Sequence, residues 1–224
     1  MNERSFSPYI VIFSSIIKQF LLYVTFLNFI YFIEILMRQS ELDMTEQVFI
    51  ATERLMAEGG LHSLSMHKIA KEAKISPGTI YLYFKNKDEL LEQLARRVFN
   101  LFSVAMEKDY DEKLSYFEQY RQMWWNIWHY LHENPMILLN VSQYQALPGF
   151  SQICQEKEGQ GRWSAFCQKA INDKAIIDLP TKVLFTLGLE SAINLAFNQM
   201  MFKTELSNQV LETAVQRSWR AIQF

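Results

Sequence analysis

Residues 63–91 read SLSMHKIAKEAKISPGTIYLYFKNKDELL, and this stretch limits the folds open to the chain more than any other. Ser65 is a natural N-cap ahead of Met66, Ile69, Ala70 and Ala73, which recur at i, i+3, i+4 and i+7 and so share one buried helix face. Lys74-Ile75-Ser76 breaks the pattern, with Ile75 available to plug the core between two helices. Ser76-Pro77-Gly78-Thr79 restarts it, Ser as cap and Pro in the first turn. This second helix ends near Tyr83-Phe84, and Lys85-Asn86-Lys87-Asp88-Glu89 opens another. A short capped helix with small residues at its start suits a reader of the DNA major groove. Gly78 and Thr79 let the backbone approach the bases, and Tyr81 points from the exposed side.

The segment resembles the tetracycline-repressor (TetR) family of one-component bacterial transcription regulators. The likeness rests on Gly59-Gly60, Ser65, Ile69-Ala70, Ala73, Ser76, Gly78-Thr79, Ile80-Tyr81, Tyr83-Phe84, Lys87 and Glu89-Leu90-Leu91, and is close over residues 44–91. Two positions depart from it: Tyr83, where family members often carry His, and Pro77, which offers no long polar side chain to a base. The resemblance implies an all-α protein. An N-terminal three-helix helix-turn-helix head (44–91) would be fused to a C-terminal helical ligand-binding and dimerisation domain (92–224). It further implies a homodimer on a palindromic double-stranded operator, released by a small-molecule effector. In that frame Ser65, Tyr83 and Lys87 sit on phosphates, Gly78, Thr79 and Tyr81 meet base edges and thymine methyls, and Ser76 completes the DNA-contacting set.

Charge is consistent with this but would not have suggested it. The whole chain carries a net charge of −2, which argues against a generic polyanion binder. Lys68, Lys71, Lys74, Lys85 and Lys87 face only Glu72, Asp88 and Glu89 within residues 62–91, a local positive patch suited to a few phosphate contacts. Taken alone, those lysines would be an ordinary solvated face. Cys154 and Cys167 have no metal-site or disulfide-framework spacing and fit a reducing cytoplasm. GxSxG, P-loop, GxGxxG and HExxH patterns are all missing from the sequence, so no enzyme, cofactor or metal is expected. His129, His132 and Glu133 share helical spacing but want a further ligand, and helix-end capping is the expectation.

Residues 1–43 stand apart. Tyr9 to Met37 is almost continuously apolar, and Phe20 to Ile33 contains only Thr25 and Asn28 as polar residues. Lys18 and Glu34 bound an uncharged run shorter than the roughly 20 residues that cross a bilayer, although Lys18 could snorkel. Three readings stay open: a membrane anchor, a helix covering the body, or a start assigned too far upstream, with Met37 or Met44 as the true initiator. The last is favoured, and membrane attachment is not expected.

The remainder reads as helices. Met44–Glu58 is expected to turn Val48, Ala51, Leu55 and Met56 inward and to end at Gly59-Gly60 with a left-handed glycine cap. A long helix from 87 to about 108 joins head to body without a flexible linker. The next, Lys113–His132, is apolar nearly all round and therefore central. Met123, Trp124 and Trp128, with Tyr144 and Phe166, are candidates to line an adaptable pocket for a flat or greasy ligand, with plain core as the equal alternative. Pro135 opens a helix to about Ala146, QEKEGQG (155–161) is a loop, and Trp163–Asn172 is helical again. One long helix is expected over Thr181–Phe202, its Gly188, Ala192 and Ala196 forming a small-residue ridge flanked by Leu195. Together with Trp219 of the last helix, Ser207–Ile222, these residues are the expected subunit interface, an intrachain helix pair being the alternative. Two heads about 34–36 Å apart require a dimer, which favours the interface.

Overall fold

The computed structural model describes residues 43–224, and these are helical with no strand among them. The three readings of the hydrophobic extension fall on residues 1–42 and lie outside the described residues. Residues 43–48 are helical and belong to a unit ending at Val48; Phe49–Phe224 form a second compact unit. Among the described residues no helix is long and apolar enough to cross a membrane.

Helix α1 runs to residue 59, with Ala51 and Met56 buried. It stops because Gly60 adopts φ +77 and ψ 160, a conformation that an L side chain rarely takes. The glycine is needed as expected, but its ψ is extended and not left-handed helical. A 3-10 turn, Leu61–Ser63, leads into α2, Met66–Glu72. Ser65 caps α2 by accepting from the Lys68 N–H, and Met66, Ile69 and Ala70 are buried. The turn to α3, Pro77–Tyr83, is made by Lys74 at φ +57, while the Ile75 N–H returns to the Ala70 carbonyl at 2.9 Å. Ser76 caps α3 through the Thr79 N–H at 3.0 Å, and Ile80 anchors the helix inward.

The long connector α4, Lys87–Met106, is capped by Asn86, with Asp88 and Glu89 in its first turn, where the helix dipole favours them. Leu90, Leu91, Leu94, Ala95 and Val98 bury its inner face. Side-chain amides of α5, Tyr116–Glu133, hold its far end. Asn126 donates to the Met106 and Lys108 carbonyls (3.1 and 2.7 Å), and Gln122 donates to the Asp109 carbonyl. These contacts satisfy carbonyls that a helix end leaves open.

Helix α5 is central, as its all-round apolarity requires: Tyr120, Met123, Trp124, Ile127, Trp128 and Leu131 are buried. It packs against α4, against α6 (Pro135–Tyr144), and against α10 (Glu190–Phe202) and α11 (Asn208–Arg220). Between these lie α7, Phe150–Glu156, α8, Arg162–Asn172, and α9, Thr181–Leu187.

The long helix expected over 181–202 is two helices. Gly188, at φ −109 and ψ −92, ends α9. A Cβ there would stand 3.1 Å from the Tyr120 ring and hydroxyl and from the Leu184 carbonyl, so the glycine admits Tyr120 of α5. The chain end pairs back on itself, with the Ile177 N–H donating to the Ile222 carbonyl at 2.9 Å.

Candidate nucleic-acid interface

The start of α3 is an exposed edge. Ser76, Pro77 and Gly78 are open to solvent, Tyr81 is 55% exposed and Leu82 81%. An added Cβ at Gly78 would meet only the Ser76 hydroxyl at 3.7 Å, so nothing within the chain calls for glycine there. Thr79 is half-buried, its hydroxyl 2.8 Å from that of Ser76. Ser65, at the start of α2, is exposed; Tyr83 and Lys87 are half-buried.

Lys68 and Lys85 of the expected positive patch and His67 are exposed on or beside α2 and α3, and so is Leu82, which sequence reasoning left out. Leu82 was traceable: an apolar residue beside Tyr81, off the register of Ile80 and Phe84. Lys68 is partly committed, since its ammonium donates to the Ser63 carbonyl at 2.9 Å. Behind this face, Phe84 meets Phe49 at 5.6 Å between ring centres, and Arg54 pairs with Glu72 at 2.6 Å. Helix α2 and the end of α3 are thereby braced from α1.

In the body, four of the five expected pocket residues lie together. Met123, Trp124, Trp128 and Phe166 belong to one buried cluster around α5. Trp124 stacks on Trp128 (5.7 Å, 10°), the His132 ring lies tilted against Trp128 (4.2 Å, 34°), and the Trp124 indole N–H donates to Ser191 at 2.8 Å. Phe166 stacks on Trp163 at 5.4 Å. These rings are filled core. Tyr144 lies outside that cluster; its hydroxyl donates to Glu53 at 2.7 Å, away from any pocket with Trp124. Burial pushes its phenol well above the ordinary tyrosine range, so it stays a proton donor.

An open depression of about 400 Å³ lies beside the cluster, within the size range of small-molecule sites. Leu131, Pro135, Leu138 and Met200 line its apolar part, and His132, Gln199 and Lys203 its polar part. His132 shares a hydrogen bond with Gln199 at 3.3 Å, and the other Gln199 amide atom, Oε1, is buried without a partner. His129 stacks on Trp125, so the two histidines serve different contacts.

The residues expected at the subunit interface lie largely inside the single chain. Ala192 and Ala196 are fully buried within the single chain, and Gly188 abuts Tyr120. Trp219 is 7% exposed and packs on Tyr120 at 5.2 Å. Leu195 is half-buried against the same core. Gly188, Ala192 and Ala196 spend their surface within the chain, which favours the intrachain alternative for the ridge. Helices α9 to α11 leave Val183, Leu187, Met201 and Val210 each 41–55% exposed.

Comparison with known proteins adds to this geometry. Residues 50–94 match the model for bacterial regulatory proteins of the tetR family, and residues 115–223 match the tetracyclin repressor-like C-terminal domain. An HTH-type transcriptional regulator of Haemophilus influenzae is 53% identical over 187 residues, covering 84% of this chain and all of that protein. The crystal structure of a TetR-family regulator from the same organism superposes with a TM-score of 0.76 at 52% identity, covering 81% of this chain and 99% of that one. FadR of Bacillus subtilis, in complex with stearoyl-CoA, shares the fold: TM-score 0.60 at 23% identity, over 76% of this chain and 97% of that one.

Proposed function

This chain belongs to the TetR family of bacterial transcriptional regulators, a DNA-binding family that acts in dimers on operators, and from that premise we propose a homodimeric cytoplasmic repressor. In this reading it sits on a palindromic operator until a small apolar or aromatic ligand enters the body. On DNA, Ser65, Ser76, Tyr83 and Lys87 hold phosphates while Gly78, Thr79 and Tyr81 meet bases. The unexplained glycine at 78 and the exposed ring of Tyr81 support that division.

One observation carries the ligand half: the His132 ring both lines the open depression and caps the Trp128–Trp124 stack. A guest that displaces His132 would reach the Trp128 indole face it covers, with the unpaired Gln199 Oε1 ready to accept a hydrogen bond. Binding would favour a body shape that spaces the heads wrongly for the operator, and only differential affinity for the two shapes can do this. Because FadR holds stearoyl-CoA in this fold, long acyl chains belong beside flat aromatics among candidate effectors.

The test is selection of an operator from random DNA, followed by titration of acyl and aromatic compounds against the complex. One compound class should release DNA and alter tryptophan fluorescence, and Tyr81→Ala should cost roughly 1–3 kcal/mol of operator affinity. If no compound shifts DNA affinity, the second reading holds: a DNA-binding regulator without a small-molecule effector, which the filled packing around Met123 and Trp124 favours.

A further inference from the structure

Glu53 is a carboxylate where α1 has no evident use for one. It is 5% exposed, in a register otherwise occupied by Phe49, Thr52 and Met56, all buried. Two of its polar partners come from other helices. Tyr144 of α6 donates to Oε1 at 2.7 Å, and Arg97 of α4 donates to Oε2 at 3.3 Å.

The backbone of the same turns is held as well. Asn140, fully buried, donates from Nδ2 to the Glu53 carbonyl at 2.8 Å. Gln143 donates to the Met56 carbonyl at 2.9 Å and to Asn140 Oδ1 at 3.0 Å, and its own oxygen accepts the Leu61 N–H at 2.8 Å. Asn140, Gln143 and Tyr144 stand at i, i+3 and i+4, so one face of α6 grips the last turns of α1 with three side chains.

The rest of α6 belongs to the body: Leu138 lies in the aromatic cluster and lines the depression, and the helix packs against α5 and α10. A single ten-residue helix therefore touches the effector body and clamps the first helix of the head.

The clamp is polar, which has mechanical consequences. Apolar contacts slide with little change in energy, whereas hydrogen bonds are directional and weaken steeply when misaligned. A buried carboxylate or carbonyl left without its donors is also costly. The α6–α1 contact therefore favours one discrete arrangement and resists intermediate ones.

We infer that Tyr144, Asn140 and Gln143 are positioning residues for DNA binding, setting the angle of the reading head against the body through α1. They do not touch DNA. Their loss leaves each head competent but relaxes the distance between two heads on one operator. The inference needs paired heads but no effector, so it stands apart from the ligand reading.

The experiment uses the full chain and its selected operator, rebuilt with half-site spacings one and two base pairs longer and shorter, together with a DNA carrying a single half-site. Wild type should prefer one spacing sharply; a wild type with no preference removes the paired-head premise and this inference with it. Tyr144→Phe deletes one hydroxyl, and Gln143→Ala, at a half-buried position, serves if Tyr144→Phe fails to fold. The expected result is unchanged affinity for the single half-site and a spacing preference flattened by about fivefold or more, the low end of couplings between sites. A lowered Tm with the wild-type spacing preference intact would make the contacts merely structural and overturn the inference. Equal losses on every DNA, the single half-site included, would locate the damage inside the head and overturn it too.

Discussion

Lys74 holds the left-handed region (φ +57) at the turn between α2 and α3, where Ile75 turns back to bond the Ala70 carbonyl. Such a conformation costs an L residue about 1–2 kcal/mol, while glycine gives back about 0.5–1 through unfolded-state entropy. Lys74→Gly should therefore stabilise the protein by about 0.5–1 kcal/mol, read as a raised Tm. A lowered Tm would mean that the lysine side chain holds the turn by contacts of its own. The two thiols give a second prediction at this scale. Cys167 is buried, which pushes its thiol up to about 12, and Cys154 is exposed. At pH 8 a thiol reagent should titrate Cys154 alone in the native protein and both residues after denaturation. The sign of the linkage follows: the unfolded Cys167 thiol ionises first, so stability falls as pH climbs from the ordinary thiol range of about 8.5 toward 12.

At the scale of elements, the break between α9 and α10 and the central position of α5 are one fact. Tyr120 needs the space above Gly188, and its hydroxyl is already committed to Ser218 at 2.8 Å, so the ring has little room to yield. Gly188→Ala should cost about 1–3 kcal/mol, as overpacking does, lowering the Tm with no change in oligomeric mass. Loss of mass in sedimentation at unchanged Tm would return the ridge to a subunit interface. The tethering of α4 is of the same kind: an apolar face roots it near the head, while amides of Gln122 and Asn126 hold its other end. A connector fixed at both ends carries a displacement that a flexible linker would absorb.

For the whole molecule, the question is which surface meets a second copy. Val183, Leu187, Met201 and Val210 are large, exposed and carried by the last three helices, whereas the alanines of the ridge are consumed inside. Leu187→Glu should shift the protein from dimer to monomer in analytical ultracentrifugation. On the proposed palindromic operator, where two half-sites would be read together, affinity should then fall by well over tenfold while single half-site binding persists. An unaltered dimer would direct attention to other exposed apolar residues, Val104, Phe202 and Phe224 among them.

Much of this was legible in one dimension. Caps at Ser65 and Ser76, the prolines opening α3 and α6, the span of α4 and the apolarity of α5 are local signals, because a helix is made by bonds a few residues apart. The family resemblance of the head was legible for the same reason, since capped helices and their break occupy one short segment. Only the tertiary structure decided which neighbour each face meets. Gly188 suits a ridge between subunits as well as a notch for Tyr120, and periodicity cannot choose between them. Tyr144 was grouped with the tryptophans by its ring, yet its hydroxyl finds Glu53 across the fold. A glutamate in an apolar register was the one trace of that contact in the sequence. Its partners could not be read there, because pairing a buried charge depends on which distant side chains the packed helices bring within hydrogen-bond reach.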